Sequence, residues 1–71
     1  GNPNSITDAG VGAMAIRTAV LGAILNARVN AADLADKGYV SEVLAECKTL
    51  SDEVSRMESV ILARVDELLK N

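Results

Sequence analysis

Seventy-one residues leave room for one domain at most, and eleven alanines with a single aromatic, Tyr39, cannot fill a broad core unaided. The absence of histidine and the single cysteine, Cys47, exclude His-based zinc sites, Ser-His or Cys-His nucleophiles and an intramolecular disulfide. A net charge of −3, with no basic stripe and no aromatic platform, excludes nucleic acid as a partner.

The first element opens at Ser5-Ile6-Thr7-Asp8, a spacing in which serine caps a helix and the acid reaches back. A helix is predicted from about residue 6 to residue 30. Gly10, Gly12 and Gly22 each weaken it by about 1 kcal/mol relative to alanine. Close packing supplies the compensating reason, since Ala15, Ala19, Ala23 and Ala27 recur every fourth residue with Gly22 beside them. Such a groove admits a neighbouring helix at the short end of the usual spacing. Val11, Met14, Ile16, Val20, Leu21, Ile24, Leu25 and Val29 cover the other faces, so the helix reads as a central one wrapped by others. Its apolar length also suits a membrane span, but Arg17 near the middle opposes insertion by about 3 kcal/mol. No membrane partner is expected.

Residues 31–36 form a joint, with Asp36 the expected cap of the second helix and Asp33 the alternative. The second helix is predicted over about 37–70. Val40, Val43, Cys47, Leu50, Val54, Met57 and Ile61 alternate three and four apart, which makes a heptad seam. Arg64 interrupts it before Val65, Leu68 and Leu69 carry the apolar face onward. The opposite side is charged, with Lys48–Asp52, Asp52–Arg56 and Asp66–Lys70 one turn apart. At 1.5 Å per residue the helices would be about 38 and 50 Å long, so the first cannot cover the second. The expected fold is all-α: two long antiparallel helices forming part of a bundle completed by other chains or by missing helices. The simplest assembly is a twofold dimer of hairpins.

Few residues offer chemistry. Asn2, Asn4, Ser5, Thr7 and Asp8 gather at a helix start, which suits an anion or polar ligand, although capping alone also accounts for them. Arg17 and Arg28 are three turns apart and lie on nearly one side of the first helix, while Asn26 and Asn30 are one turn apart. Cys47 and Met57 fall on the seam and read as packing residues.

The string Gly1-Asn2-Pro3-Asn4-Ser5-Ile6-Thr7-Asp8-Ala9-Gly10-Val11-Gly12-Ala13 resembles a motif of the cyclodeaminase/cyclohydrolase family. That family includes the cyclodeaminase part of formiminotransferase-cyclodeaminase and the stand-alone methenyltetrahydrofolate cyclohydrolases. The stretches Arg17-Thr18-Ala19-Val20-Leu21-Gly22-Ala23 and Leu25-Asn26-Ala27-Arg28-Val29-Asn30 are similar to the family's next stretch, an alanine-rich helix ending in Asn-x-x-x-Asn. The specific part of the likeness is residues 1–30; the charged helix to Asn71 is similar in kind only.

The resemblance implies an all-helical, dimeric, cytoplasmic enzyme acting on one-carbon units of tetrahydrofolate. One activity closes 5-formiminotetrahydrofolate to the 5,10-methenyl form with loss of ammonia; the other hydrolyses the methenyl form to 10-formyltetrahydrofolate. It implies no metal and no cofactor beyond the folate substrate itself. Of the matching positions, Asp8 is the expected acid/base or orienting group, with Asn4 and Ser5 beside it. Arg17 and Arg28 are candidates for the pterin or the acidic glutamate tail. Family members are much longer, and the likeness lies in their last third, so a fragment that is inactive alone is expected. The rival is a non-catalytic helical hairpin that self-associates, for which the cap, the alanine row and the heptad seam would suffice.

Overall fold

The computed structural model describes residues 3–70 as two helices, α1 (Pro3–Ala32) and α2 (Lys37–Leu69), laid antiparallel in one hairpin. The rod measures 55 × 15 × 12 Å. With 30 and 33 residues the helices are nearly matched, so α1 runs beside almost all of α2 instead of leaving a long overhang.

The matched lengths arise because α1 starts earlier than predicted. Pro3 takes the first helical position, where its missing N–H is no loss and its fixed φ suits the helix. Ser5 and Asp8 consequently lie inside α1, and the capping role expected of them is not the one they have. The Thr7 hydroxyl donates to the Asn4 carbonyl at 3.0 Å, the usual back-bond of a hydroxyl within a helix.

Asp36 caps α2 as expected. Its backbone is extended, its carboxylate accepts the Tyr39 N–H at 3.0 Å, and its carbonyl accepts the Val40 N–H at 3.1 Å. Gly38 lies beside that carboxylate, and a Cβ there would stand in ordinary contact with Asp36 Oδ1 at 3.4 Å. On the other side of the joint the Lys37 ammonium donates to the Leu34 carbonyl at 2.9 Å and reaches the Ala32 carbonyl at 3.5 Å. A cation thereby meets the carbonyls left open where α1 ends.

The seam between the helices differs from the sequence reading. On α1 it runs through Ile6, Gly10, Ala13, Arg17, Val20, Ile24, Ala27 and Ala31, in alternating steps of four and three. Val40, Val43, Cys47, Val54, Ile61 and Val65 turn inward on α2, but Leu50 and Met57 each stay 49% exposed. Ser51 and Glu58 take their places. Arg17 is the reason at the second of these positions: a guanidinium on the seam requires a carboxylate opposite, and Glu58 supplies it. Of the charged pairs expected along α2, Lys48–Asp52 closes at 3.1 Å; Arg64 pairs with Glu67 at 3.2 Å.

Among the described residues only Ala13 and Ala31 are buried hydrophobic side chains. Val11, Ile16, Leu25 and Val29 are 58–69% exposed on α1. Of the predicted row Ala15, Ala19, Ala23 and Ala27, the first three face outward with Gly22 while Ala27 lies on the seam, and a Cβ on Gly22 would meet nothing within 4 Å. The close approach of α2 falls instead at Gly10, where a Cβ would stand 3.4 Å from Leu62 Cδ2 and from Val65 Cγ2. α1 is long and apolar enough to cross a membrane by length and composition. However, α2 lies along it, and a span would draw Lys48, Asp52 and Arg56 into hydrocarbon at about 3 kcal/mol each.

Candidate functional site

Asn4, Ser5 and Asp8 occupy the first turns of α1, three and four residues apart, and all are exposed. Asn2, which the sequence adds to this group, lies outside the described residues. At 100° per residue Asn4 and Asp8 share a stripe with Ala15, Gly22 and Asn26. Every residue of that stripe is exposed or half-buried, and it is the side of α1 turned away from α2.

Arg17 lies half a turn from Asp8, on the side facing α2. Its Nε donates to Glu58 Oε2 at 2.7 Å, with Glu58 the more deeply covered of the two. This is a charge-assisted bond across the seam, and it engages the Nε–H of the guanidinium, leaving the terminal nitrogens as its remaining donors. Glu58 is the residue that sequence reasoning missed. A carboxylate one place off the apparent seam looked like surface charge, and only the phase of α2 against α1 reveals its role.

Arg28 lies on nearly the same side as Arg17, and it enters none of the ion pairs among the described residues. It borders an open cavity of about 340 Å³ together with Ile24, Leu44, Cys47, Lys48 and Ser51. Lys48 is held by Asp52, so the cavity has an apolar floor and a cationic edge.

These positions do not converge within one hairpin. Asp8 and Arg17 are about 13 Å apart along the axis and on opposite sides of it; Asp8 and Arg28 are about 30 Å apart. A small ligand held by Asn4, Ser5 and Asp8 meets neither arginine of the same chain. Among the described residues no three His, Cys, Asp or Glu side chains gather as metal ligands. What the outer face of α1 offers is a carboxylate, a hydroxyl and an amide beside a shallow strip of alanine and glycine. Proton transfer and hydrogen bonding are within its means, and a complete pocket needs walls from elsewhere.

The family model for formiminotransferase-cyclodeaminase matches residues 1–49, which takes in α1, the joint and the first turns of α2. Neither a curated protein nor a solved structure matches the chain.

Proposed function

The chain belongs to the formiminotransferase-cyclodeaminase family, and from that premise we propose that it is part of an enzyme acting on one-carbon units carried by tetrahydrofolate. The reaction is ring closure of 5-formiminotetrahydrofolate with release of ammonia, or hydrolysis of the 5,10-methenyl form. The observation that carries the proposal is the placing of Asn4, Ser5 and Asp8, inside the matched residues, on one exposed face of α1. Both reactions require a proton to leave an attacking nitrogen or water. Asp8 takes that proton, while Asn4 and Ser5 orient the substrate by hydrogen bonds. Arg28 serves the acidic part of the substrate from a second chain or through assembly, and Arg17, its Nε held by Glu58, joins it through its terminal nitrogens.

The exposed apolar residues of α1 support a second element of the proposal: the hairpin works inside a larger helical assembly, as a homo-oligomer, and is inactive alone. The separation of Asp8 from Arg17 and Arg28 favours the same conclusion, and equally a non-catalytic interaction hairpin. One assay separates the two. The natural gene product carrying this sequence, purified whole, is offered 5-formiminotetrahydrofolate and 5,10-methenyltetrahydrofolate while methenyl absorbance and ammonia are followed. Turnover of either substrate supports the enzyme; a folded, assembled product that turns over neither leaves the interaction hairpin.

A further inference from the structure

The end of the hairpin that carries Asn4, Ser5 and Asp8 also holds an open cavity of about 290 Å³, walled by Ile6 and Ala9 of α1 and by Val60, Ile61 and Leu68 of α2. Arg64 is the one polar residue among the described residues that line it. With about 100° per residue, Ala9, Ser5 and Asp8 follow one another around α1 in steps of about 40° and about 60°, leading from the cavity to the carboxylate. Side chains at these spacings start about 6 Å apart. The cavity and the proposed acid/base group therefore adjoin.

The walls decide which part of a tetrahydrofolate fits. A pterin ring presents several nitrogens and a carbonyl oxygen, and an apolar cavity would leave them without hydrogen bonds. The p-aminobenzoyl ring has two apolar faces, and its amino nitrogen, N10, is one of the two atoms that share the one-carbon unit. Its other substituent, para to N10, carries the glutamate. Ser5 and Asp8 lie beyond the α1 wall of the cavity, and Arg64 stands on the α2 wall. Reacting nitrogen and anionic tail thus each have a suitable neighbour at opposite ends of the ring. Arg64 pairs with Glu67 at 3.2 Å, but both side chains are exposed and the pair is weak, so the guanidinium can turn to a ligand carboxylate.

We propose that this cavity takes the p-aminobenzoyl ring of the folate substrate and that Arg64 binds one carboxylate of its glutamate. The second carboxylate remains for Arg28, brought by assembly. This rests on the folate reading above and deepens it: Arg64 lies beyond the matched residues 1–49 and acts from the same chain as Asp8.

The test uses the whole natural gene product, with Arg64→Gln and Ala9→Leu, and reads kcat and KM together with competitive inhibition by p-aminobenzoyl-glutamate and by p-aminobenzoate. Ala9 is exposed, so the leucine fills the cavity without prying the helices apart. Arg64→Gln is expected to raise KM about tenfold with kcat within about twofold of the parent, and to weaken p-aminobenzoyl-glutamate but not p-aminobenzoate. Ala9→Leu is expected to weaken both inhibitors and to raise KM by about tenfold or more. Variants with the parent's KM and inhibition overturn the cavity assignment and leave the folate reading standing. An unchanged KM with a lowered melting temperature does the same and marks the cavity as a packing surface for another helix. A folded parent that turns over neither folate overturns both.

Discussion

At the scale of single residues the proposal rests most on Asp8, and its position within α1 sharpens the test of its role. As an interior, exposed helix residue it has no capping bond to lose. Asp8→Asn keeps size and hydrogen bonding while removing the base. In the whole enzyme the expected result is turnover lower by about 10²-fold with an unchanged melting temperature. Near-normal turnover would make Asp8 a surface residue and nothing more. The glycines divide in the same way. Gly22 faces open space in the hairpin, so in this chain Gly22→Ala is expected to raise stability by about 1 kcal/mol through helix propensity. In the proposed assembly, with neighbouring helices over the alanine row, Gly22→Leu is expected to cost about 1–3 kcal/mol by overpacking. Gly10 is the reverse case. Its Cβ position already touches Leu62 and Val65, so Gly10→Leu is expected to pry the helices apart in the hairpin itself. Urea denaturation of each variant reads all three.

The two helices are held in phase by few interactions, and each can be weighed. Removing the cap with Asp36→Ala leaves the Tyr39 N–H without its acceptor and is expected to cost about 1 kcal/mol. Glu58→Gln keeps the shape of the side chain but removes the charge opposite Arg17. Because Arg17 is partly open to water, the expected loss is about 1 kcal/mol, and high salt should shrink the difference. Thermal melts of both variants in low and high salt provide the check. These elements also show what the sequence made legible. The helix types, the joint and the Asp36 cap follow from local patterns: a run of apolar residues, an acid before a helix, a glycine in the first turn. The phase of α2 does not. Leu50 and Met57 outrank Ser51 and Glu58 on hydrophobicity, so a single-helix view puts the larger residues inside. The α1 seam was hidden for the same reason, since Gly10, Ala13 and Arg17 mark a contact only when the opposing helix is present. The family was legible as a motif in residues 1–13, and the half turn between Asp8 and Arg17 follows from helix spacing, whereas the facing of Arg17 onto Glu58 needed both helices.

As a whole molecule the hairpin is a half-covered object. Thirteen large hydrophobic residues are exposed among those described, against two buried alanines, and a core that thin supplies little stability by itself. The outer face of α1 carries both Asp8 and the row Ala15, Ala19 and Ala23, so on the proposed reading whatever covers the row also walls the site. On the proposed reading stability and function depend on the same neighbours. Association predicts a melting temperature that depends on protein concentration, because only the assembled state buries these faces. The most direct measurement is the thermal unfolding of the 71-residue chain by circular dichroism across a hundredfold range of concentration. The account predicts a midpoint that climbs by about 4 °C for each tenfold increase. A cooperative transition at one temperature throughout, from a chain that sediments as 7.4 kDa, would contradict it.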